Sequence, residues 1–206
     1  MVVMPTNNFG FECGRLFGKY PHRLAHLSDP GHAKEPRSKV NWALDNGVFG
    51  AWSKNRKWSE EPFYDYLNNY VCFKPLWVVV PDWVADKKKT LDLWNLHIDT
   101  IKKYDVNPAF VVQDGMTPND VPNDATVVFV GGTTSWKWRN LKMWVDNFPR
   151  VHVGRVNTYR LCFQAMEAGA ESCDGTGWFR HPKRTEELEK FLEDSEKENP
   201  QMKLEI

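Results

Sequence analysis

LWVVVPDW, residues Leu76–Trp83, is an apolar run of strand length that stops abruptly at a proline and an aspartate. A strand so rich in valine, with no polar residue alternating through it, suits a parallel sheet buried on both faces. The same design recurs along the chain. Val2–Met4, Trp42–Leu44, Leu76–Val80, Ala109–Val112, Val127–Val130 and Val151–Val153 are short apolar runs, with a shorter one at Ser172–Cys173. Each ends in polar residues or glycine. Helical patterns fall between them: Glu60–Tyr70, with Pro62 in its first turn; Lys87–Tyr104, with Leu91, Trp94, Ile98 and Ile101 at helical spacing; and Thr158–Ala168 before Gly169.

Strands alternating with helices pair in parallel through crossover connections. An open doubly wound sheet and a (β/α) barrel both satisfy this pattern. The barrel is preferred because polar residues stand at nearly every strand exit, and in a barrel those exits meet at one mouth. The expectation is a compact α/β fold, a complete or incomplete (β/α)8 TIM-type barrel with its site at the C-terminal ends of the strands. Seven strands are visible. Residues 1–185 are assigned to the barrel, with 5–41 as a long loop or lid. Residues 186–206 form a charged helix or tail, with Leu188, Phe191 and Leu192 as a narrow apolar stripe.

The net charge is zero, but its distribution is uneven. The segment from Glu186 to Ile206 holds eight acidic and three basic residues, leaving 24 basic and 19 acidic residues elsewhere. A body of net +5 with basic clusters at 54–57, 87–89, 102–103, 137–139 and 180–184 permits a nucleic-acid partner, although most such clusters are simply solvated. Among 10 Trp and 12 Phe, Trp136 and Trp138 look exposed enough for a binding role. The four cysteines, Cys13, Cys72, Cys162 and Cys173, form no CxxC pair, so neither a zinc knuckle nor a disulfide framework is expected. His22 and His26 read as a surface pair rather than metal ligands. With no membrane-length apolar run and no signal-peptide core, a cytoplasmic protein without metal, cofactor or membrane association is expected.

The chemistry is concentrated at five exits. ALDNGVF (Ala43–Phe49) presents Asp45 before a tight turn at Gly47. VVVPDW (Val78–Trp83) presents Asp82, and FVVQDGM (Phe110–Met116) presents Gln113 and Asp114. VFVGGTT (Val128–Thr134) offers Gly131 and Gly132, where a backbone can approach a ligand closely. GAESCDGTGW (Gly169–Trp178) sets Asp174 before a glycine-flanked turn. Taken singly, a strand-end aspartate is more often a helix cap, the preferred reading for Asp114. Five exits of this chemistry form a more specific pattern.

In these motifs the chain resembles the tRNA-guanine transglycosylases, or queuine tRNA-ribosyltransferases. It is most similar to their short, virus-associated relatives that place 7-deazaguanines in DNA. The resemblance spans about Asp45–Trp178. It implies Asp174 as the nucleophile and Asp45 as the proton-shuttling acid, with Phe49 stacking on the base. It implies base recognition by Asp82, Gln113 and the turn Gly131–Gly132. The family's C-terminal CxCxxC-plus-His zinc cluster has no counterpart here, and its Pro-Thr-Arg segment is replaced by Gly175–Arg184. The implied substrate is therefore DNA, with tRNA second and a free 7-deazaguanine base as co-substrate; in a virus the compartment would be the host cytoplasm.

The residues support this chemistry on their own terms. Base exchange needs a carboxylate to attack C1′ and a second carboxyl to protonate the departing purine. Two displacements retain the anomeric configuration. Lys137, Arg139, Arg155 and Arg180 are candidates for phosphate contacts, Arg155 equally for pairing with an acid. A nucleoside or nucleotide glycosidase and a non-catalytic nucleic-acid-binding subunit are the competing readings.

Overall fold

The computed structural model describes residues 1–6, 10–32, 35–36 and 39–198. Eight parallel strands carry the fold: β1 (Val2–Pro5), β2 (His26–Ser28), β3 (Trp42–Leu44), β4 (Val78–Val79), β5 (Pro108–Val112), β6 (Val127–Val130), β7 (Val151–Val153) and β8 (Ser172–Gly175). Their order is β1-β8-β7-β6-β5-β4-β3-β2, and bridges at Val3–Leu24 and Thr6–Leu27 bring the two edges together. The result is a nearly closed, TIM-like β/α barrel. Among the described residues seven α-helices interleave with the strands: α1 (Phe11–Lys19), α2 (Val48–Ser53), α3 (Glu61–Tyr70), α4 (Lys87–Lys102), α5 (Thr134–Asn147), α6 (Tyr159–Ala168) and α7 (Pro182–Glu198).

Successive strand residues face opposite sides of a sheet, so a barrel sorts them into two cores. Val78, Val80, Phe110, Val112, Val128 and Val130 belong to the outer core shared with the helices. Their neighbours Val79, Ala109, Val111 and Val127 belong to a smaller inner core with Met4, Ala25, Leu27, Ala43 and Trp77. Both faces of each strand are apolar, which explains the unbroken valine runs. Trp77 fills the barrel axis, its ring edge-on to Phe129 and His152 at centroid distances of 6.0 and 4.8 Å.

The segment 5–41, expected to be a loop or lid, instead contains α1 and β2, the strand absent from the sequence reading. Three residues, of which His26 and Ser28 are polar, give too short a pattern to register as a strand, but pairing with β3 and the inner core holds them in place. His26 is correspondingly buried at 2 % exposure and stacks on Phe17, so it is not half of a surface pair. Residues 7–9, 33–34 and 37–38 of that segment lie outside the described residues, as do 199–206 of the tail. Through Glu198 the charged segment is helical. Leu188, Phe191 and Leu192 are fully buried, and Glu189 pairs with Arg15 and Lys19 of α1 at 2.7 and 2.8 Å. Trp136 and Trp138 are half-buried against the outer core rather than exposed. Among the described residues no helix is long and apolar enough to cross a membrane.

Replacing Trp77 by Ala removes the largest inner-core side chain and leaves a cavity that the closed sheet cannot collapse. Denaturant unfolding should show a loss of roughly 3–5 kcal/mol; a loss below about 1 kcal/mol would mean the barrel interior is not packed as described.

Candidate functional site

Period-two alternation continues past each strand and builds the site. Counting two residues on from the inward-facing Met4, Leu27, Ala43, Val111, Phe129, His152 and Ser172 gives Thr6, Asp29, Asp45, Gln113, Gly131, Gly154 and Asp174. All seven line one cavity of about 540 Å³ at the C-terminal mouth. Asp82 joins them one position out of step, after Pro81. Asn46, Phe49, Lys54, Gly132, Arg155 and Arg180 complete much of the wall.

Asp45, at the exit of β3, is the most perturbed acid. Burial, reinforced by the negative charges of Asp29, Asp174 and Asp82, pushes its carboxyl up to about 8 against one stabilising bond from the Asn46 backbone N–H at 2.8 Å. It is therefore largely protonated at neutral pH, a state in which a carboxyl can act as a general acid. Asp82 is raised by burial to about 6, with Asn46 Nδ2 donating to Oδ1 at 2.8 Å and Gln113 Nε2 donating to Oδ2 at 2.6 Å. Each carboxylate oxygen has two acceptor sites, so both can accept a further bond.

Asp174, on β8, is held through one oxygen. Its Oδ1 accepts the Arg155 backbone N–H at 3.1 Å and lies 3.2 Å from Nε2 of His152, whose Nδ1 is 2.8 Å from Ser172 Oγ. Among the described residues no donor reaches Oδ2. Arg155 adopts a left-handed conformation with φ 60°, a strained state for a non-glycine residue that aims its N–H at Asp174. Its guanidinium donates to the Gly132 carbonyl and lies 4.8 Å from the centroid of the Phe49 ring. Arg155 thus organises the wall rather than pairing with an acid through its side chain.

The glycine pair plays a different part from the one expected. Gly131 N–H donates to Val112 O and Gly132 N–H to Gln113 Oε1, both at 3.1 Å, so neither amide is left to bind a ligand. Their contribution is space. A Cβ at Gly131 would lie 2.8 Å from Val111, and one at Gly132 would lie 2.7 Å from both Asp114 and Trp136. Gln113 Oε1 also accepts from Ala85 N–H at 3.0 Å, which fixes the amide orientation. Asp114 accepts from the Thr133 backbone and hydroxyl at 2.7 and 2.6 Å, serving as a cap at the start of α5.

Of the cations, Arg180 lines the cavity, whereas Arg139 is exposed on α5 and donates to Ser135 O, away from the lining. Lys137 is not a phosphate contact. It is 1 % exposed, its ammonium donates to Gly154 O, and burial pushes its pKa down to about 8. Asp29, Asn46, His152 and Ser172 escaped the sequence reading; following the inward register of the recognised strands would have found His152 and Ser172, whereas Asp29 follows the unrecognised β2 and Asn46 lies out of register. Among the described residues no group of three or more His, Cys, Asp or Glu side chains is arranged to hold a metal ion. No family model and no curated protein sequence matches this chain.

The raised pKa of Asp45 fixes a pH dependence. The folded protein retains this proton between about 4 and 8 while the unfolded chain loses it near the ordinary 3.8, so the carboxyl's contribution to stability falls as pH rises through that window. Asp45→Asn should change the melting temperature little near pH 4 and raise it at pH 8.5 by on the order of 3–6 °C. An equal change at both pH values would contradict the assignment.

Proposed function

We propose that the protein is a base-exchange transglycosylase that replaces guanine in DNA with a 7-deazaguanine. The observation that carries this reading is the meeting, in one cavity, of Asp45, whose carboxyl is pushed up to about 8 by burial and neighbouring negative charge, and Asp174, whose side chain is anchored through Oδ1 alone. Such a division of labour suits an acid and a nucleophile. The motif resemblance to the tRNA-guanine transglycosylases points to the same pair.

In the proposed mechanism, Asp174 Oδ2 attacks C1′ of the target nucleotide. The C1′–N9 bond breaks, and the departing guanine takes the proton of Asp45. The incoming base then returns its N9 proton to the Asp45 carboxylate, and its N9 attacks C1′, releasing Asp174. Two inversions at C1′ retain configuration. Asp82 accepts from the N1–H and N2–H edge of the purine, and the second hydrogen of Gln113 Nε2 is available to its carbonyl. Phe49, backed by the Arg155 guanidinium, offers a ring face to a nucleotide drawn out of its stack. A cavity of about 540 Å³ falls in the range of small-molecule sites, appropriate to one extruded nucleotide.

Incubation with radiolabelled guanine or 7-deazaguanine, with DNA and tRNA in parallel, tests the proposal. Label should enter DNA, and a denaturation-resistant protein–DNA adduct should form with wild type but not with Asp174→Ala. Incorporation into tRNA alone would overturn the polymer assignment; release of free base without incorporation would identify a glycosidase. An adduct surviving in Asp174→Ala would remove that residue as nucleophile.

A further inference from the structure

The rim of the cavity carries a feature that the chemistry at its floor does not use. On α2, Trp52 is 56 % exposed and Phe49 38 %, although most of the tryptophans are buried or packed against the core. The two rings lie side by side, with centroids 5.7 Å apart and planes 35° apart. Phe49 faces the cavity, and Trp52 extends the aromatic surface outward from it. The chain leaves α2 into an exposed turn bearing Lys54, Arg56 and Lys57. Lys54 lines the cavity mouth. Among the described residues none of these three exposed cations forms an ion pair, a state they share with other surface cations such as Lys74 and Lys103.

An indole exposed over half its surface, beside cations held in no ion pair, presents a flat apolar face and positive charge together. It matches the needs of an unpaired nucleic-acid strand, whose bases present flat faces and whose phosphates are regularly spaced along one side. We infer that Trp52 stacks on the base next to the nucleotide held in the cavity, while Lys54, Arg56 and Lys57 receive the adjoining phosphates. The inference rests on the nucleic-acid reading of the site and specifies which face the strand crosses. The strand enters over α2, Phe49 separates the extruded base from its neighbour, and Trp52 caps that neighbour after its stacking partner has left. This platform stabilises the opened strand without reading sequence, because every base has a stackable face.

Binding can be measured without chemistry, by fluorescence anisotropy of a labelled 12-nucleotide single-stranded DNA on the Asp174→Asn protein with no incoming base. Trp52→Ala should weaken binding roughly tenfold and Trp52→Phe should restore most of it. The combined Lys54→Ala, Arg56→Ala, Lys57→Ala variant should reduce the slope of log affinity against log salt by about 2. Melting temperatures should not change, since all four side chains are exposed. Affinity within twofold of the parent in Trp52→Ala, or an unchanged salt slope, would overturn the platform. Strand binding that depends on Trp52 in a wild-type protein without base exchange would support the platform and defeat the proposed reaction. Base exchange that is insensitive to Trp52→Ala would do the reverse.

Discussion

A closed parallel sheet admits only every second residue of each strand to its interior, and the site depends on this constraint. The inward positions of the strands are mostly apolar along the barrel axis, where Trp77, Val79, Val111 and Phe129 meet, with His152 and Ser172 as polar members. One step further along the same register they become Asp29, Asp45, Gln113 and Asp174. No separate loop architecture is needed to bring four carboxylates, with Asp82, and an amide into one cavity. The same constraint accounts for the cost: acids that share a closed mouth are desolvated together and repel one another.

That cost is distributed unequally. Asp82 has two side-chain donors and Asp174 has the Arg155 N–H and the His152 ring, whereas Asp45 has a single backbone donor and the nearby charges of three other aspartates. The acid with the weakest support keeps its proton. The supports are themselves built from strained or buried groups: Arg155 at positive φ, Lys137 buried and bonded to the Gly154 carbonyl, and His152 enclosed between Trp77 and Phe129. Stability given up at these positions is set against the apolar contacts of the two cores.

Much of this architecture was legible in the sequence because it is written in valine runs. Val127–Val130 and Val151–Val153 are strands with the same bounds that their apolar content suggests. β2 was not legible, since His26 and Ser28 in a three-residue strand carry no hydrophobic signature; only closure of the barrel specifies it. With β2 went Asp29, the strongest charged influence on Asp45. The aspartates at the exits could be named from motif and position, but the occupation of the Gly131 and Gly132 amides could not, because it depends on the register of β5 with β6 and on the rotamer of Gln113. Lys137 was misread for a similar reason. A lysine between two tryptophans on a helix resembles a surface cation until the helix is docked and its ammonium meets the Gly154 carbonyl.

The division of protonation among the aspartates is the centre of this account, and Asp45 is where it is most exposed to test. Carbon-13 NMR of aspartate-labelled protein, with the Asp45 carboxyl assigned by its loss in Asp45→Asn, follows that group through a pH titration directly. The expected midpoint is near 8. A midpoint near the ordinary 3.8 would show that Asp45 is ionised at neutral pH and cannot be the acid of the site.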